Sequence, residues 1–303
     1  MLERYSHQQL TWIDIVNPTA EEIRAAMEEA DIPLTFTDDL TSMTPRTETI
    51  AEKGAVKITL DFPIVKRTDI NHPHEVKFIA TKHHLVTIRF EDIQAIDQFK
   101  KDFEVVSLLK RSNQKASGAH LLTTLLLRLY RGLDSKLDYL AGQLQTIDAA
   151  LFDEREKEMV VEISRAGQRL TAFRQALGAH ESALAELYTG IGVAFSKSNQ
   201  EPVVRINEQY MHLLRRVDRQ KQTLVELRET NNSLLTTKQN EVMKTLTIVA
   251  FTTFPLTLFA SIFGMNAVNM PFIGESYDFW IIVSMMLVVS IGFFAYFKYK
   301  RWM

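Results

Sequence analysis

Residues Asn240 to Asn266 read NEVMKTLTIVAFTTFPLTLFASIFGMN. Between Lys244 and Glu275 no residue is charged. A helix crosses the hydrocarbon core of a bilayer in about 20 residues, so this run predicts a membrane span. Steps of three and four from Asn240 visit Met243, Thr247, Ala250, Phe254, Thr257, Ser261 and Gly264, which share one helix face. The other faces carry Leu246, Ile248, Val249, Phe251, Leu258, Phe259 and Ile262. A spanning helix with one small, polar stripe either packs tightly on another helix or lines water.

Working outward, the sequence from Val203 to Phe263 has no glycine, and its only proline is Pro255. One continuous helix there would be roughly 90 Å long at about 1.5 Å per residue. A proline inside a span is tolerable when hydroxyls such as that of Thr252 satisfy freed carbonyls. After Asn266 comes the loop AVNMPFIGESYD, whose only charges are Glu275 and Asp278. A second charge-free run follows, FWIIVSMMLVVSIGFFAYF, and then Lys298, Tyr299, Lys300, Arg301, Trp302 and Met303. The expected layout is span one over 245–264, external loop 265–278, span two over 279–297 and a basic tail over 298–303. Lys238 and Lys244 flank one end of the hairpin and Lys298, Lys300 and Arg301 the other, while the loop has no Lys or Arg. The bias of basic residues toward the cytoplasm then places both termini inside and the Asn266 loop outside. Two spans cannot enclose a channel, so any pore needs several copies about an axis.

Upstream, the strands expected are Trp12–Val16, Thr47–Ile50, Ala55–Phe62, Glu75–Ala80 and His84–Phe90, with turns at Gly54 and Asn71. A helix starts at Thr19, which stands at capping-box spacing from Glu22, and runs to Ala30. A short helix follows Pro33, and a longer one starts near Ile93. Long helical patterns cover Ala119–Ala150 and Asp153–Tyr188, and Gly190–Pro202 reads as a break. The fold class expected is α+β: an N-terminal α/β/α layer domain over 1–202, the soluble part of a stalk helix over 203–244, and a membrane region over 245–303.

Composition narrows the function classes. The net charge of -2 gives no bulk attraction for nucleic acid. With no cysteine there are no disulfides and no thiolate metal sites. The N-terminal MLERYSHQQL lacks an apolar core, so no cleavable signal peptide is expected. Gly192–Ser198, GVAFSKS, lacks the glycine before its lysine that a phosphate-binding loop needs. His72, His74, His83 and His84 offer no evident third metal ligand, and Asp14 and Asp61 read as structural. No nucleophile–base pair stands at interpretable spacing, which argues against an enzyme, and no covalent cofactor is expected.

Gly264-Met265-Asn266 closing the first span, Met270-Pro271 in the loop, a second span and the tail KYKRW together resemble the CorA family of divalent-cation channels. The opening TWIDIVNPTAEEI is also similar to that family. The resemblance implies a homopentameric funnel in the plasma (cell inner) membrane, multi-pass, with Mg²⁺ as transported ion and regulatory ligand. Co²⁺ or Ni²⁺ would be further cargo. It implies a selectivity motif at Gly264, Met265 and Asn266, and pore positions at Asn240, Met243, Leu246, Phe254 and Thr257. Phe254 stands where the family pattern has methionine or an aliphatic residue, and Arg205 where it has a stalk carboxylate. On this reading Asn266 holds the metal ion through its hydration shell. Thr247, Ala250 and Ser261 complete the lining, and Glu275 and Asp278 concentrate cations outside. Heptad steps back from Met243 reach Glu229 at the cytoplasmic mouth, with a drift of about 20° per heptad. Two other readings stay open: a zinc transporter of the same superfamily, with or without proton coupling, and a membrane-anchored structural or signalling coiled coil with no transport.

Overall fold

The computed structural model describes residues 1–37, 39–44, 46–63, 74–109, 117–196, 199–265, 277–300 and 302. Its contacts divide the chain within its longest helix into two units, Met1–Arg228 and Glu229–Met303.

The first unit is built on a six-stranded mixed sheet: β1 (Leu2–His7), β2 (Leu10–Val16), β3 (Glu48–Glu52), β4 (Ala55–Phe62), β5 (His74–Thr81) and β6 (His84–Arg89), in the order β1-β2-β6-β5-β4-β3. Only β2 and β6 run parallel; the other neighbours are antiparallel. Alternate residues of each strand face opposite layers. Ile13, Ile15, Ile79, Val86 and Ile88 pack with Ile23, Ala26 and Ala30 of α1 (Ala20–Ala30). Trp12, one residue out of phase, meets the ring of Phe99 on α2 (Gln94–Leu109) at 5.3 Å on the other side. Phe62 and Phe78 likewise stack toward Tyr130 of α3 (Gly118–Leu151) and His180 of α4 (Glu156–Ala194). The unit is therefore an α/β/α layer domain, as the pattern of elements implies. Thr19 caps α1 with the reciprocal Glu22 bonds of a capping box. A single 3-10 turn, Leu34–Phe36, follows Pro33.

Three features depart from the sequence reading. Strand β1 was not foreseen, because an edge strand paired only to β2 can afford Glu3, Arg4 and Ser6 instead of an apolar run. Helix α4 starts at Glu156, after Glu154 takes a positive φ of 62°, not at Asp153. It also runs through Gly190 and Gly192 to Ala194, so the expected break shrinks to 195–200, and Glu201 and Pro202 already belong to α5. Gly190 is a packing residue: a Cβ there would lie 2.8 Å from the Ala51 Cβ on β3. Gly190→Val is expected to destabilise the unit by about 1–3 kcal/mol through overpacking, read as a lower thermal midpoint of the purified protein.

Helix α5 (Glu201–Phe263) is continuous over 63 residues. Within the first unit it is fixed to the hairpin of α3 and α4. Arg216 reaches Asp134 and Asp138, one turn apart on α3, Arg174 pairs with Asp218 at 3.0 Å, and Gln220 donates to the Leu137 carbonyl at 2.9 Å. Asp14, fully buried, is held by Thr87, Arg89 and Lys100, which makes it structural. In the second unit α5 continues to Phe263, and α6 spans Asp278–Tyr299.

Candidate functional site: the polar stripe of the first span

Among the described residues two helices, α5 and α6, are long and apolar enough to cross a membrane, and neither apolar window is buried within the chain. Met243, Leu246 and Phe254 are 56%, 58% and 71% exposed. Side chains of that kind need lipid or further copies of the chain to cover them.

The stripe is present on one continuous helix. Asn240, Met243, Phe254, Thr257 and Ser261 are exposed, and Thr247 and Ala250 are half-buried. Leu246, three residues after Met243, lies on the flank of the stripe. Glu229 is exposed two heptads before Met243, whereas Glu226 accepts a hydrogen bond from Gln222 at 3.2 Å.

The hydroxyls show what sequence could not. Thr247 donates to the Met243 carbonyl at 2.8 Å and Thr257 to the Thr253 carbonyl at 3.0 Å. Thr245, Thr252 and Thr253 bond back in the same way to Glu241, Ile248 and Val249. Each spends its single proton on its own helix, so outward it presents only oxygen lone pairs. The expected rescue of the carbonyl freed by Pro255 takes another course. That carbonyl belongs to Phe251, and Thr252 serves Ile248 instead.

Gly264 follows the last residue of α5. Its N–H bonds to the Ala260 carbonyl at 2.9 Å, and Met265 N–H to Ile262 at 3.3 Å, a tightened last turn. A Cβ on Gly264 would lie 2.9 Å from the Ala260 oxygen, so a larger residue would force the turn open. Asn266 and Glu275 lie outside the described residues, as do Met270-Pro271, Asn71, His72 and Arg301. Asp278 is not a loop residue; it opens α6 and accepts the Phe279 N–H at 2.6 Å. Lys298 falls in the last turn of α6, which runs two residues past the expected end at Phe297, and Lys300 follows it, where cations complement the helix dipole. Trp302 stacks on Phe297 at 5.9 Å beside them.

Among the described residues no three His, Asp or Glu side chains gather as a metal site. His74 pairs with Glu91 at 3.0 Å, and burial pushes the His84 imidazole below its ordinary pKa.

An α/β/α layer domain followed by two helices long and apolar enough to cross a bilayer has the layout of a membrane protein. The family described as CorA-like Mg²⁺ transporter protein matches residues 7–301, and the chain belongs to that family. The cobalt/magnesium transport protein CorA of Thermotoga maritima is 27% identical over 174 residues, covering 55% of this chain and 48% of that protein. The chain is thus matched to only about half the length of that relative. The cobalt/magnesium transport protein CorA of Methanocaldococcus jannaschii is 23% identical over 98% of this chain and 93% of its own. The complete structure of the CorA magnesium transporter from M. jannaschii superposes with a TM-score of 0.84 at 20% identity, over 99% of this chain and 93% of that one. The ZntB cytoplasmic domain from Vibrio parahaemolyticus is a more distant likeness in fold, with a TM-score of 0.53 at 17% identity over 77% and 88% of the two chains.

Proposed function

We propose that several copies of this chain, five by resemblance, form a channel for the influx of divalent cations, Mg²⁺ above all, across the cell inner membrane. The observation that carries this is the line of outward oxygen acceptors on α5, within a span that the chain itself leaves uncovered. Turned toward a shared axis, Asn240, Thr247, Thr257 and Ser261 would give hydrated ions neutral acceptors, and the rings of Met243, Leu246 and Phe254 would form constrictions that dewet and close. Asn266 carbonyls at the outer end would grip an ion through its water shell, weakly enough for release. Gly264 and Met265 close the last turn of α5 just before Asn266 in sequence. Both termini would be cytoplasmic, with Glu229 at the inner mouth, Glu275 and Asp278 near the outer one, and Lys298, Lys300 and Arg301 at the inner lipid surface. Mg²⁺ at the cytoplasmic domain would act as regulator. An inside-negative potential gives a divalent ion roughly 4.6 kcal/mol per 100 mV, twice the single-charge value.

The test is competitive ion flux into liposomes, with and without a pH gradient, together with rescue of a Mg²⁺-transport-deficient strain on limiting Mg²⁺. Wild type is expected to rescue and Asn266→Ala to lose rescue. Zinc flux without Mg²⁺ flux would replace this reading with zinc transport, and no flux of either ion would leave an anchored coiled coil.

A further inference from the structure

A cavity of about 620 Å³ lies in the first unit where the first turn of α2 and the middle of α3 meet the ends of β4 and β5. Lys136 of α3 lines it. The buried lysines Lys57 and Lys77 and the half-buried Lys100 each have a carboxylate: Lys57 has Glu48 at 3.8 Å, Lys77 has Glu75 at 3.0 Å and Lys100 has Asp14 at 2.8 Å. Lys136 has none among the described residues, and its Nζ donates only to the Pro63 carbonyl at a long 3.4 Å. Burial accordingly pushes its ammonium below the ordinary lysine pKa. A cation kept in a partly desolvated site with no carboxylate among the described residues beside it is a binding group suited to an anion.

The surroundings say what kind of anion. Gln94 and Gln98 of α2 add amide groups, and the start of that helix borders the same space. Tyr139, 56% exposed at the mouth, supplies a flat apolar wall, and the buried Phe62 backs the cavity. The carboxylate at the rim, Asp92, is 84% exposed and pairs with Arg89 at 3.4 Å, so it does not neutralise Lys136. The volume falls in the range of small-ligand pockets, roughly 300–1,000 Å³.

We propose that this cavity binds a small organic phosphate with a flat ring, of mononucleotide size, its phosphate on Lys136 and its ring against Tyr139. The site is separate from the ion path, so it stands whether or not the chain conducts Mg²⁺.

Calorimetric titration of the full-length protein in detergent tests it, with adenosine monophosphate, inorganic phosphate and adenosine as probes. Saturable binding of the monophosphate is expected at one per chain, with free phosphate and adenosine each weaker by about tenfold or more, the scale of one charge-assisted contact or one stacked ring. Lys136→Met should weaken the monophosphate about tenfold or more while leaving the melting temperature and ion flux of the free protein unchanged. Lys136→Arg should restore most of the binding. No saturable binding of the monophosphate, adenosine binding equal to it, or Lys136→Met binding like wild type would each overturn the proposal.

Discussion

Met243→Ser raises the resting leak of reconstituted protein by about tenfold or more, and Met243→Ser with Leu246→Ser raises it further. A tenfold change needs only about 1.4 kcal/mol off the barrier. The substitution is repeated in every copy around the axis, so each serine need contribute only part of that. The physical basis is dewetting: a narrow ring of thioether and isobutyl groups gives water no partners, and hydroxyls restore them. Both side chains are exposed on the isolated chain, so serine there leaves no cavity in either unit. A rise in leak with unchanged ion competition would locate the barrier at this level of α5. Leak equal to wild type in both variants would place the barrier elsewhere.

The second large effect is on stability against acid. His180 is fully buried, donates from Nε2 to the Asp61 carbonyl at 2.7 Å and accepts from the Tyr130 hydroxyl at Nδ1 at 2.8 Å. The carbonyl can only accept, which fixes the neutral tautomer. Burial lowers this imidazole from 6.5 to about 4, opposed in part by the bond to Asp61. The unfolded chain therefore takes up a proton that the folded chain refuses, and stability is lost as pH falls from 6.5 toward 4. The loss is on the order of 3 kcal/mol. Asp61 works the other way. Burial, and then the Glu75 carboxylate across the strand pair, raise it from 3.8 to about 6. An acid whose folded pKa is raised is disfavoured while ionised, so this group adds stability as pH falls from about 6 toward 4. Asp61 is only partly buried, and solvent screening makes its share the smaller of the two. The melting temperature should therefore fall between pH 6.5 and 4 in wild type. It should fall more steeply in Asp61→Asn and less steeply in His180→Gln, which starts from a lower plateau. A His180→Gln slope equal to wild type would remove the imidazole from the account.

Much of this architecture is written locally. The capping pair Thr19 and Glu22, the β-branched runs of β4 to β6 and the apolar spacing of α3 are short-range signals, and the folded chain follows them. What the sequence conceals depends on neighbours. Gly190 reads as a helix breaker by propensity but serves the approach of α4 to β3. Strand β1 carries little apolar signal because its outer edge is unpaired. The polar stripe was legible from residue types alone, yet the direction of each threonine proton was not, since it depends on the side-chain torsion. Lys136 gave no sequence signal at all: one lysine among the many basic residues of the chain becomes distinctive only once the fold sets it in a cavity with no carboxylate partner among the described residues.

Those threonine protons carry a consequence for sign. A surface that can receive hydrogen bonds but not give them attracts whatever is electron-poor and offers chloride nothing to hold. If these threonines line an ion path, the segment 247–257 would thus favour positive visitors without a formal charge of its own. Such a bias survives high salt, because there is no net charge for counter-ions to gather around.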